Sequence, residues 1–163
     1  MKMTSSEANK MVKRLEDNKM KILSDEQKYK VYHAATTENE KELAPDYVFA
    51  EVQQAIDVID RQIMDLKHKL NVFNSTTLVG DTGLTIDQVL IRLPQLQLQK
   101  NKLHGMRKLP TKERYQITGS IIDYIYTSYD PDEAQEEYVK VDDEISYLQL
   151  ALDKVNNSVT FEV

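Results

Sequence analysis

The chain has 163 residues, 40% apolar and 29% charged, with a net charge of −6 and no cysteine. This is enough for one domain with a sizeable core; it excludes disulfides and thiolate metal sites and points to a reducing cytoplasm. No run approaches the roughly 18 apolar residues of a membrane span, and the negative balance argues against a whole surface that binds nucleic acid or acidic membrane.

The start, MKMTSSEANK, is polar and lacks the apolar segment of a secretory signal. Thr4 and Glu7 have capping-box spacing, which predicts a first helix over about 5–26. Its apolar positions, Ala8, Met11, Val12, Leu15, Ile22 and Leu23, form a broken stripe interrupted by Lys19. Residues 28–33, KYKVYH, are rich in Tyr and Val and suggest a strand. The acidic stretch 34–44 lacks a period and suggests a loop. Pro45 suits the first turn of the next helix, about 46–74. Phe49, Val52, Ile56, Ile59, Ile63, Leu66, Leu70 and Phe73 then alternate spacings of three and four without a miss. That is the 3.5-residue period of a helix that packs lengthwise on another helix.

NSTTLVGDTG supplies turn formers. Thr85 and Gln88 mark the start of a third helix, about 86–107, which Pro94 should kink. Residues 121–127, IIDYIYT, form the best strand, with 28–33 and the final SVTFEV as its expected partners. Asp130-Pro131-Asp132-Glu133 combines an N-cap, a first-turn proline and acids at the positive end of the dipole, and opens a helix over about 131–157. Its seam runs Ala134, Tyr138, Val141, Ile145, Leu148, Leu152, Val155 and Val159, again at alternating four and three. Asn156-Asn157 would end the helix and leave Val159 to a strand. If the two seams lay antiparallel, Lys67 and Lys69 would fall near Asp142 and Glu137.

The expected fold is mainly α: a single helical domain over 1–163 with four helices, two of them long and heptad-patterned as in a coiled-coil hairpin or bundle, plus a small antiparallel sheet. The runs IDRQIMDLKHKLNVFNSTT, LTIDQVL, MRKLP, IIDYIYTSYD and LALDKVNNSVTFEV resemble an uncharacterised family of short bacterial helical proteins, distantly septicolysin-like. The likeness covers most of the chain from about residue 50. It implies the helical layout and a bacterial cytoplasmic origin, and supplies no catalytic residue or cofactor.

No G-x-S-x-G elbow is present, and His33, His68 and His104 stand apart in sequence. Asp57 with Asp60, and Glu133 with Glu136, have the one-turn spacing that an all-α magnesium-dependent phosphohydrolase needs, yet they lie off the seams. The turn residues Asn71, Asn74, Thr76, Thr77 and Asp81 could hold a small ligand, but capping is their ordinary role. The stretch from Gln99 to Tyr115 carries Lys100, Lys102, Arg107, Lys108, Lys112 and Arg114 against Glu113 alone, a local +5. It is a candidate surface for phosphate, nucleic acid or an acidic partner. The seams carry the leading expectation: a non-catalytic, cofactor-free protein–protein interaction or assembly module, self-associating as a homo-oligomer through Phe49, Val52, Ile56, Ile59, Ile63, Leu66, Leu70, Phe73, Tyr138, Val141, Ile145, Leu148 and Leu152. Nucleic-acid binding through 100–114 is the alternative, and the phosphohydrolase the second.

Overall fold

The computed structural model describes all residues from Met1 to Val163. The chain is 65% helical, with five helices and two small antiparallel sheets of two strands each. In order these are β1 (Lys2–Thr4), α1 (Ser5–Tyr29), α2 (Glu40–Leu43), α3 (Phe49–Thr76), α4 (Ile86–Met106), β2 (Lys112–Thr118), β3 (Ile121–Tyr126), α5 (Pro131–Ser158) and β4 (Thr160–Glu162). They divide into two compact units, Met1–Phe73 with Asn156–Val163, and Asn74–Val155.

In the first unit, Thr4 caps α1: its hydroxyl accepts from the Glu7 N–H at 3.2 Å, and Glu7 accepts from the Thr4 N–H at 2.8 Å. The helix then runs antiparallel to α3. Glu16 accepts from Lys67 and Asp60 from Lys19, each at 2.7 Å, while Glu26 accepts from Tyr47 at 2.8 Å and Gln53 at 3.1 Å. Lys19, which breaks the α1 stripe, thus has a carboxylate partner on the facing helix. Met3, Ala8, Val12, Leu66 and Leu70 form a buried cluster, with Ile63, Phe161 and Val163 packed against it. β4 lies antiparallel to β1 with Met3 opposite Phe161, and the Phe161 ring stacks on Phe73 at 4.7 Å.

The second unit opens on a tight turn. Ile86 N–H donates to Thr77 O, Val79 N–H to Leu84 O, and the Thr82 hydroxyl to Val79 O. Gly80 and Gly83 have positive φ, a conformation that costs glycine least. The Gln88 side chain accepts from the Thr85 N–H at 2.9 Å, the return bond of a capping box. α4 continues through Pro94. It lies antiparallel to α5, tied by Arg92 to Glu144, Lys100 to Asp142 and Arg107 to Gln135. Asp130 caps α5, accepting from the Asp132 N–H at 2.9 Å, with Pro131 in the first position.

Three expectations need correction. Residues 28–33 form no strand: Lys28 and Tyr29 close α1, and 30–33 are irregular and exposed. Strand preference reflects the surface a strand packs on, and here 28–33 are exposed and pack on none. The partner of 121–126 is 112–118, the far end of the basic stretch. The acidic loop holds a short helix, α2, capped by Asn39. Lys67 pairs with Glu16 within the first unit, and Asp142 with Lys100 within the second.

Candidate interaction surface

β2 and β3 are joined by the two-residue loop Gly119-Ser120, with Thr118 opposite Ile121. Gly119 has φ +63° and Ser120 does not enter the positive region. This matches a type II′ turn, whose first central residue is usually glycine and whose twist suits a hairpin. At the root, Thr127 N–H donates to Thr111 O at 3.2 Å. Every residue of both strands is exposed. Tyr115, Ile117, Ile121, Ile122, Tyr124, Ile125 and Tyr126 are between 39% and 68% exposed.

The register sorts the side chains. Directly opposed residues share a face, so Lys112, Arg114, Ile117, Ile122, Tyr124 and Tyr126 lie on one side, and Glu113, Gln116, Thr118, Ile121, Asp123 and Ile125 on the other. The irregularity between Arg114 and Gln116 is a bulge at Tyr115; it shifts the alternation along β2 by one residue, so that opposed side chains still share a face. Lys112 Nζ sits 4.0 Å above the Tyr124 ring and 5.5 Å from that of Tyr126, and these two rings are 6.3 Å apart. One face is therefore cationic and aromatic, the other acidic and aliphatic. An isolated two-stranded hairpin is marginal in water. This one is apolar on both faces, and its ring contacts are internal to the hairpin.

The rest of the basic stretch has other uses. Lys100 donates to Asp142 at 2.5 Å, and this bond raises its pKa. The Arg107 guanidinium stacks 3.9 Å above Tyr138 and donates to Gln135 at 2.7 Å. Lys108 Nζ lies 2.8 Å from His104 Nε2. Lys102, Lys108, Lys112 and Arg114 are exposed. Two of the six cations, Lys100 and Arg107, are thus engaged with α5.

His104 has Lys108 against one ring nitrogen and Arg107 against the other, at 2.8 and 3.2 Å. Lys108, burial, Arg107 and Lys100, in that order, lower its pKa, and the Tyr138 ring is 5.9 Å away. The folded chain resists protonation here more than the unfolded chain does, so the unfolded state binds more protons on acidification. Stability should hold above the ordinary histidine pKa of about 6.5 and decline as pH falls below it. Melting wild type and His104→Gln at pH 7 and pH 5 checks this: the wild type should lose more on acidification than the variant.

The seams lie mostly inside the chain. Ile59, Leu66, Leu70 and Phe73 of α3 are buried, as are Val141, Ile145, Leu148 and Leu152 of α5. Val52, Ile56, Ile63 and Tyr138 are half-buried, and only Phe49, at 65%, is strongly exposed. His33 and His68 are exposed. Asp60 is engaged with Lys19 and Glu137 with Lys140. No three acidic or histidine side chains converge as a metal site requires. One hollow, about 480 Å³, is lined by Glu7, Lys10, Met11, Arg14, Leu15 and Asn18, all on α1, and pairs no nucleophile with a base. The surface that sequence reasoning missed is the hairpin as a unit. Gly119-Ser120 between two β-prone runs was its signal.

These features define a mainly α protein with two antiparallel helix pairs and an exposed apolar hairpin. No protein-family model matches the chain, and no curated protein matches it. Its fold is similar to the crystal structure of a functionally unknown conserved protein from Corynebacterium diphtheriae, at a TM-score of 0.62 and 14% identity over 99% of this chain and 100% of that one. This likeness places the chain beside a bacterial protein of unknown function and shows the fold alone. Nothing found supports the septicolysin-like label. No helix is long and apolar enough to cross a membrane.

Proposed function

We propose that this protein is a helical interaction and assembly module that self-associates, acting by binding rather than by catalysis. The observation that carries this is the exposed apolar hairpin 112–126, which is marginal alone and offers free strand edges to a partner. The seams are mostly buried within one chain and so are not its contact surface. A cytoplasmic location and a homo-oligomeric partner go with this proposal.

A second possibility rests on one observation. Lys112 and Arg114 share a face with Tyr124 and Tyr126, the combination of cations and stacking rings that takes single-stranded nucleic acid. Light scattering behind size exclusion, at low and high salt, with and without a labelled single-stranded oligonucleotide, separates the two. Assembly at both salts without the oligonucleotide supports the apolar contact. A monomer that binds the oligonucleotide only at low salt favours the second. A monomer that binds nothing sinks both.

A further inference from the structure

The two edges of the hairpin are not alike. β2 carries Lys112, Glu113 and Arg114 and a bulge, the devices that keep an edge strand from pairing. β3 is Ile-Ile-Asp-Tyr-Ile-Tyr, with no lysine, no proline and no register shift of its own. Its backbone has one side to spare. In a two-residue hairpin the residues flanking the loop form a hydrogen-bonded pair, and such pairs alternate along the strand. Ile121, Asp123 and Ile125 therefore turn their N–H and C=O toward β2. The inward Thr127 N–H, which donates to Thr111 O, follows the same phase. Ile122, Tyr124 and Tyr126 turn theirs toward the free edge.

We infer that the free edge of β3 pairs antiparallel with β3 of a second copy, about a two-fold axis at Tyr124, to make a four-stranded sheet. This rests on the self-association proposed above. The register follows from the strand. Centring on Tyr124 sets Tyr124 against its own copy and Ile122 against the partner subunit's Tyr126, so all three outward-facing residues bond across the edge. Centring on Asp123 instead would set two carboxylates opposite each other, which is destabilising, and would use backbone groups already bonded to β2. On the aromatic face, Ile122, Tyr124 and Tyr126 of both copies then form one continuous row. Asp123 meets the partner subunit's Ile125, and Lys112 and Arg114 stay on the outer strands. The seven apolar side chains of each hairpin expose on the order of 800 Å² in all, comparable with what one partner contributes to a standard interface. Edge pairing covers part of that area, and the three pairs of backbone bonds add to it. A two-fold contact of this kind is isologous and closes at two copies.

The chain has no cysteine, so a single introduced one reports cleanly. Tyr124→Cys would place two sulfurs on residues whose Cα atoms are about 5.5 Å apart, within disulfide range. Under mild oxidation it should give a covalent dimer on a non-reducing gel, whereas Leu98→Cys, on an exposed position of α4, should stay largely monomeric. In light scattering the wild type should read twice the 18.9 kDa chain mass, and Tyr124→Lys should halve that with unchanged helicity. If the wild type is a dimer, yet Tyr124→Lys leaves its mass unchanged and Tyr124→Cys links no faster than Leu98→Cys, the β3 contact is overturned while self-association stands. A wild type that is monomeric at every concentration, together with a Tyr124→Cys variant that forms no cross-link, overturns both.

Discussion

Leu96→Ala should destabilise the protein by about 2–5 kcal/mol, the range for removing a buried leucine side chain. Leu96 lies on α4 and is fully buried. Truncation removes its transfer energy and leaves a cavity that its surroundings fill only in part. Small domains are stable by about 5–15 kcal/mol, so this one change takes a large share of the total. Leu98, two residues on, is 74% exposed, and Leu98→Ala should cost under about 0.5 kcal/mol. Urea melts of the two variants check the contrast. Equal midpoints would mean that α4 does not bury the face assigned to it. Burial also decides where assembly can be tested. Ile59 is buried, so Ile59→Lys would unfold the chain before reporting on any contact between copies. A test of self-association has to be made where side chains are exposed.

α3 and α5 are legible because their apolar positions repeat at 3.5 residues, and α1 and α5 also because Thr4 with Glu7 and Asp130 with Pro131 mark starts that bond locally. Such signals need no knowledge of the partner. The sheets were less legible because strand pairing is non-local. Both β3 and the final strand were identifiable from their β-branched and aromatic residues, but their partners were not. Met3, in the polar N-terminal stretch, sits opposite Phe161. Residues 112–118 read as basic because Lys112 and Arg114 dominate the composition, while the period-two alternation that includes Tyr115 and Ile117 is broken by the bulge. Part of the basic stretch is engaged within the fold. Lys100 and Arg107 face α5, and no local pattern reveals that Asp142 and Tyr138 await them.

Excising residues 112–126 and joining Thr111 to Thr127 through Asn-Gly should leave a folded helical protein that no longer self-associates. The join is geometrically open, because Thr127 N–H already donates to Thr111 O at 3.2 Å. Those two residues can flank a two-residue turn as Thr118 and Ile121 now do, and Asn-Gly suits the type I′ form. The excised residues are all exposed, so their loss removes little buried apolar area and opens no cavity. Tyr129, which donates to Met106 O at 2.7 Å and anchors the chain before α5, is retained. Circular dichroism should therefore show the helical signal undiminished and melting with an unchanged midpoint, while the solution mass falls to that of one chain. Retained mass would place the assembly surface elsewhere, with exposed Phe49 the next residue to change. A molten helical signal would give the hairpin a role in holding α4 against α5. Retained helicity with lost assembly would identify a segment whose apolar residues serve the contact and not the core, and that division of labour explains why a marginal hairpin carries seven large apolar side chains in water.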